Sequence, residues 1–341
     1  MAKRSKVKVG AVSSETVYGE GDWQNAFKAV AYVDEAASMG AQLVCFPEGY
    51  PGPCSGPMDS EGRLSSTPIQ MLCEKAKQHK VYISAGNVEP SGEIEAAYYL
   101  CNKLISPEGK ILANYKRCQP THPVFNSYFY GGRMHFLPGE ELMVLDTDLG
   151  KIGLLICSEL WVPELARIEM LMGAEIILAP IGGIHSKTKM LRYDQEGNIV
   201  RGSKELSTWQ CISRARAAEN LVYVVTATNV FFKNSPRGSF IASPEETLGL
   251  SEGASITYAT LDMERLSYLR SKYFEEDDLI PPADFANHRP LLCRPGQNHD
   301  RRPEFYKKLT EPQPDAFDYF YFKRDLDAWK QEYEKAKKFN R

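Results

Sequence analysis

The chain has 341 residues, 43% of them hydrophobic and 25% charged, with a formal net charge of −3. This is globular composition with enough apolar surface for a sizeable core, and it argues against a nucleic-acid surface or a polybasic membrane patch. No apolar run approaches the about 18 residues of a membrane span, so no membrane partner is expected.

The eight cysteines are scattered and form no CxxC pair, and the six histidines are dispersed as well. The pattern predicts no zinc or other metal site, no cofactor and no disulfide framework. The opening MAKRSKVKVGAV runs from basic residues straight into a strand-like segment without the apolar stretch of a secretory leader. A cytoplasmic protein is expected.

Taken in order, apolar runs predict strands at 7–12, 42–46, 81–85, 98–105, 111–115, 142–146, 152–157, 176–179, 222–226 and 256–261. Helices are predicted over 22–39, 67–79 and 205–220, with another from Pro163 to about Gly173. In the first helix Trp23, Phe27, Val30, Val33 and Ala37 fall on one face, and Gly40 stops it. The turn Ser-Pro-Glu-Gly at 106–109 joins two strands as a hairpin, so the sheet should be mixed. Alternation of strands and helices makes this an α/β domain over residues 1–268. Residues 269–341 change character: prolines break long elements, Phe317–Phe322 is aromatic, and a terminal helix is predicted over 325–338. This C-terminal extension is expected to pack on the core or on a neighbouring subunit.

Three reactive residues follow strand-like runs. QLVCF leads to Glu48, ILANY to Lys116 and IGLLI to Cys157. Loops at the carboxyl ends of strands gather chemistry in α/β sheets. A thiol attacks as thiolate, a carboxylate can take its proton, and an amine can stabilise thiolate and oxyanion. The turn after Cys157 leads into the helix at Pro163, a strand–nucleophile–turn–helix order similar in logic to the hydrolase elbow, without GxSxG itself. Spacing alone does not establish that the three meet.

Phe46-Pro47-Glu48, Tyr115-Lys116 and Ile156-Cys157 resemble the nitrilase, or carbon–nitrogen hydrolase, superfamily. So do GKIGLLICSELWVPELARIEMLMGAEIILAP at 150–180, FLPG at 136–139 and RARAAENLVYVV from Arg214, over about residues 7–265. The resemblance implies a four-layer αββα sandwich that assembles as a homo-dimer or larger homo-oligomer. It implies Cys157 as nucleophile, Glu48 as general base, Lys116 as oxyanion-stabilising cation, and the Ser158 backbone N–H as second oxyanion donor.

One family feature is missing. Many members carry a second active-site glutamate shortly after the lysine, yet Lys116–Gly132 contains no Asp or Glu. The expected position falls on Phe125, Asn126 or Ser127. Either a polar residue such as His122, Asn126 or Ser127 takes over the orienting task, or the protein binds without turnover. Tyr50, His122, Trp161 and Gly182 are the expected pocket walls. The Pro163-Glu164 pair after the nucleophile resembles the amidase and carbamoylase branches, whereas FPEGYPGP has a nitrilase flavour. The substrate expected is a small amide or N-carbamoyl compound, with a nitrile or transfer to an amine as alternatives. The polar segment 184–207 is either a substrate-covering loop or a solvated insertion.

Overall fold

A computed structural model describes residues 3–17, 21–52, 67–92, 97–120, 135–182, 203–230, 238–250, 255–271 and 301–311. In chain order the strands are β1 (Lys6–Glu15), β2 (Leu43–Cys45), β3 (Tyr82–Pro90), β4 (Ala97–Ile105), β5 (Ile111–Lys116), β6 (His135–Phe136) and β7 (Val144–Thr147). They continue with β8 (Gly150–Leu154), β9 (Ile176–Leu178), β10 (Tyr223–Thr226), β11 (Thr228–Val230), β12 (Phe240–Ala242), β13 (Thr247–Leu250) and β14 (Ser255–Asp262). The helices are α1 (Gln24–Ser38), α2 (Pro68–His79), α3 (Pro163–Leu171), α4 (Ser203–Asn220) and α5 (Met263–Ser271).

These strands form two sheets. The first runs β11-β1-β2-β3-β4-β5, with β14 also paired to β1 and β6 to β4; the second runs β13-β12-β10-β9-β8-β7. Both are mixed: β1, β2 and β3 are parallel neighbours, as are β8, β9 and β10, while β3–β4–β5 is antiparallel. The predicted hairpin at 106–109 is the β4–β5 connection.

Three hydrophobic clusters fill the three gaps between four layers. Val7, Val9, Leu43, Ala113 and Tyr115 of the first sheet meet Ile152, Leu154, Ile176 and Val225 of the second. The opposite face of the first sheet, with Val44, Ile83 and Ile105, packs on Ala29, Val33 and Ala36 of α1 and on Leu72 and Ala76 of α2. On the second sheet Ile177 and Val224 pack against Ala166 and Met170 of α3 and Ala217 of α4. The architecture is the αββα sandwich. Strands buried on both faces read as continuous apolar runs, which is why LVC and IIL are so hydrophobic.

Local chemistry sets the helix ends. Thr67 caps α2 in a reciprocal box with Gln70, Pro68 takes the first turn, and Lys80 closes the helix in the left-handed region at φ 57°. For α1 the buried stripe differs from the expected one. Ala26, Ala29, Val33 and Ala36 face the sheet, whereas Phe27 is exposed and stacks edge-on to Trp23 at 5.9 Å. Alanine at three of those four positions lets the helix backbone approach the sheet closely, and the bulky aromatics stay at its rim. The predicted strand at 152–157 ends earlier, at Leu154, so Cys157 begins a 3₁₀ turn, Cys157–Trp161.

The predicted helix at 325–338 and most of the C-terminal extension lie outside the described residues, as does most of segment 184–207. Of the extension, residues 269–271 end α5, and residues 301–311 form a short turn and helix with Phe305 and Leu309 exposed.

One buried carboxyl group is unusual. Glu169 of α3 is inaccessible; its Oε1 accepts the Leu154 N–H at 2.9 Å, while Oε2 has no partner among the described residues. Oε2 lies against Gly153, where an added Cβ would come within 2.3 Å. Burial, and then the charge of Glu159, push the Glu169 carboxyl well above its ordinary 4.5. A raised acid pKa costs stability as pH climbs from the unfolded value toward the folded one, because folding then requires proton uptake. Glu169→Gln should therefore raise the unfolding midpoint at pH 7, and the gain should vanish below about pH 4.5. Denaturant titrations across that range check this; a loss of stability at pH 7, or a pH-independent difference, contradicts it.

Candidate active site

Cys157 follows β8 at the point where the chain leaves the second sheet. It has a φ of 54°, a left-handed conformation that costs a non-glycine residue about 1–3 kcal/mol. Neighbouring groups impose it. The Cys157 N–H donates to Pro180 O at 2.8 Å, and the Ile156 N–H donates to the Glu159 carboxylate at 2.8 Å. At the far end of the turn, Arg216 of α4 donates to the carbonyls of Leu160 and Trp161 at 2.9 and 3.2 Å. The thiol is thus presented on a turn fixed at both ends.

Glu48 comes from the other sheet, three residues beyond β2. Its N–H contacts Ile181 O at 3.4 Å, and its carbonyl accepts Asn229 Nδ2 at 2.9 Å. Arg117 Nη1 donates to Glu48 Oε1 at 3.1 Å, and the Cys157 thiol and the Gly182 N–H are close enough to favour the ionised carboxylate. An added Cβ on Gly182 would sit 2.3 Å from Oε2, so glycine is needed for the carboxylate to lie there. The predicted pair Glu48 and Cys157 is therefore brought together, with Gly182 beside it.

The cation at this point is Arg117, which corrects the placement expected for Lys116. In β5, Ala113 and Tyr115 point into the gap between the sheets, and side chains alternate with period two. Arg117, just past the strand end, continues the inward parity; Lys116 faces away, with Nζ 4.0 Å above the Tyr99 ring. The Arg117 guanidinium is almost fully buried. Nε donates to Gln119 O at 3.1 Å, Nη1 to Glu48, and Nη2 to the Ser158 hydroxyl oxygen. The signal available in the sequence was that same alternation counted from Tyr115.

The electrostatics follow from burial around one cation. Burial raises the Glu48 pKa, while Arg117, the thiol and the Gly182 N–H oppose the rise. Burial and the Glu48 charge raise that of Cys157 too, so the resting thiol is protonated, with the Glu48 carboxylate beside it as acceptor. Burial works against charge on Arg117, but the carboxylates Glu48 and Glu159 outweigh it and hold the guanidinium charged. The arrangement can remove a thiol proton, hold a positive charge beside the sulfur, and offer N–H groups to an oxyanion.

The remaining expected residues divide. The Ser158 hydroxyl is engaged by Arg117. Trp161 is nearly half exposed and packs edge-on against Trp209 of α4 at 5.3 Å. Tyr50, expected as a pocket wall, is instead a core residue. It is inaccessible, stacks on Phe46, and its hydroxyl donates to Asn25 O at 3.0 Å in the layer between the first sheet and its helices. His122, Asn126 and Ser127 lie outside the described residues. Among the described residues no group of three His, Cys, Asp or Glu could hold a metal ion, and no helix is long and apolar enough to cross a membrane.

Comparisons with known proteins bear on the family and the fold. The family model for carbon–nitrogen hydrolase matches residues 8–271. Human omega-amidase NIT2 is 25% identical over 262 residues, 73% of this chain and 86% of that protein. The citrullinase of Francisella tularensis is 26% identical over 314 residues, 90% of this chain and 99% of that one. In fold, the crystal structure of a carbon–nitrogen hydrolase from Helicobacter pylori superposes with a TM-score of 0.66 at 19% identity, over 90% of this chain and 99% of that one. The chain therefore belongs to the carbon–nitrogen hydrolase family, enzymes that hydrolyse carbon–nitrogen bonds.

Proposed function

We propose that the protein hydrolyses a small amide or N-carbamoyl compound through an acyl-thioester on Cys157, with Glu48 as base and Arg117, rather than Lys116, as the charge that stabilises the oxyanion. The observation that carries this reading is the Glu48 carboxylate shared by the Cys157 thiol and the Arg117 guanidinium.

In the first step the thiol proton passes to Glu48 while Sγ forms a bond to the carbonyl carbon. The carbonyl electron pair moves to oxygen, where Arg117 N–H and the Ser158 backbone N–H are the donors at hand. The intermediate collapses, the carbon–nitrogen bond breaks, and Glu48 returns the proton to the leaving amine. Arginine stays protonated throughout, so that proton must come from the carboxyl group. Water then gives a proton to the same carboxylate, attacks the thioester and releases the acid and the thiol. Arg117 and Gly182 also fix the orientation of Glu48, part of the task that a second glutamate performs in many relatives.

The names of the two relatives, an amidase and a citrullinase, support the amide and carbamoyl classes. The nitrile, acyl-transfer and binding-only alternatives are separated by substrate and product: acid and ammonia from nitriles but not from amides, an acylated added amine, or no product from any compound. The same reading includes a cytoplasmic protein that assembles with copies of itself. Ile168, Leu171 and Met172, each more than two-fifths exposed on or just past α3, support a surface that a second copy would cover. Light scattering at micromolar concentration checks that assembly.

Ammonia release from short aliphatic amides, ω-amides of dicarboxylic acids and N-carbamoyl amino acids tests the chemistry. Cys157→Ala should abolish turnover. Arg117→Gln should lower kcat by about 100-fold or more, the usual cost of an oxyanion donor, and Lys116→Gln by less than about threefold. The reverse order would return the role to Lys116.

The pH profile should move as well. Activity needs the ionised Glu48, so the rate rises with pH through its folded pKa, which burial has raised and Arg117 holds down. Arg117→Gln should shift the acid limb of kcat/KM to higher pH; an unmoved limb counts against the pairing.

Gly182→Ala should push the Glu48 carboxylate off its position. A fall of about tenfold or more in kcat with an unchanged melting temperature is expected, and retention of full activity would contradict the geometry.

A further inference from the structure

Glu159 is two residues past the nucleophile and has no place in the steps above. Its carboxylate is inaccessible and collects donors from two separate parts of the site. The Gln119 N–H donates to Oε1 and the Ile156 N–H to Oε2, each at 2.8 Å, and the Tyr115 hydroxyl is shared between both oxygens at 2.9 Å.

The donors bracket the reactive groups. Tyr115 and Gln119 lie two residues before and two residues after Arg117, and Ile156 immediately precedes Cys157. The residue that gives its N–H to Glu159 also offers its carbonyl, Gln119 O, to Arg117 Nε. A chain of contacts thus runs from Glu159 through residue 119 to the guanidinium, and from there to Glu48 and Ser158. The first sheet carries one end and the second sheet the other, joined by one side chain.

Relying on the assignment of Arg117 as the site's cation, we propose that Glu159 is a positioning residue that sets the guanidinium against the Cys157 thiol, so that its loss acts through Arg117. None of its hydrogen bonds among the described residues goes to the thiol. A carboxylate with three donors and no cation in hydrogen-bond contact is a costly thing to bury, and charge-assisted bonds to backbone N–H groups offset the cost. Aspartate at this position would have a side chain one methylene shorter and would reach the two peptides less well.

The direction of the effect separates positioning from simple electrostatics. Removing a nearby negative charge would by itself favour the thiolate and speed its reactions. Loosening Arg117 removes a nearby positive charge and slows them.

The test is the rate of Cys157 alkylation by iodoacetamide at pH 7, followed by peptide mass mapping, in wild type, Glu159→Gln, Arg117→Gln and the double variant. Glu159→Gln should slow alkylation about tenfold, and the double variant should be no slower than Arg117→Gln alone. A faster or unchanged rate in Glu159→Gln overturns the proposal, as does full additivity in the double variant. Tyr115→Phe keeps the carboxylate and its two peptide donors, and should slow alkylation in the same direction but less. If Glu159→Gln fails to fold, an unchanged rate in folded Tyr115→Phe overturns the proposal. Alkylation needs no substrate. Failure of wild type to hydrolyse any of the three amide classes would sink the hydrolytic reading while this cycle still reports on Glu159.

Discussion

A guanidinium buried between two sheets has to be matched by negative groups, because desolvating a charge costs several kcal/mol even after the protein relaxes. Arg117 meets that demand with Glu48, itself mostly shielded, in direct contact and with the fully buried Glu159 nearby. None of the three is cheap to hold alone. Together they draw the end of β5, the loop after β2 and the turn after β8 to one point. The fold supplies strand ends; this set of opposed charges is what makes them converge.

That constraint explains the state of the thiol. Cys157 is held neutral by burial and by the adjacent carboxylate, against the pull of Arg117. A standing thiolate is not what the site builds. In the proposed mechanism it supplies instead a proton acceptor beside the thiol, and a fixed positive charge that would gain value as negative charge appears on sulfur and then on oxygen. The exchange of a flexible ammonium for a planar fork matters here. A guanidinium can hold Glu48, Ser158 and the carbonyl of residue 119 at the same time, and it gives up no proton.

Much of this was legible in the residues. Apolar runs gave most strands, because strands buried on both faces have no polar side to hide them, and the αββα layering was implied by motif resemblance. Glu48 and Cys157 stood out by position after their strands. The cation did not, because Lys116 is the basic residue that directly follows the apolar run ending at Tyr115, whereas side-chain parity carries the inward face from Tyr115 to Arg117. Tyr50 looked like a pocket wall because it sits near Glu48 in sequence, yet it faces the opposite side of the first sheet. Glu159 was hidden for another reason. Two of its partners are backbone N–H groups, of neighbouring Ile156 and distant Gln119, and such donors leave no trace in residue type; the third, the Tyr115 hydroxyl, is 44 residues away in the chain.

The central claim is that Cys157 carries the acyl group, with Glu48 turning it over. Mass spectrometry of Glu48→Gln incubated with a substrate amide tests it most directly. The account predicts that whatever acyl group forms stays on the peptide containing Cys157, with the mass of the substrate less its amine, and that Cys157→Ala in the same background shows none. An adduct on another cysteine, or ammonia release that survives Cys157→Ala, would contradict it.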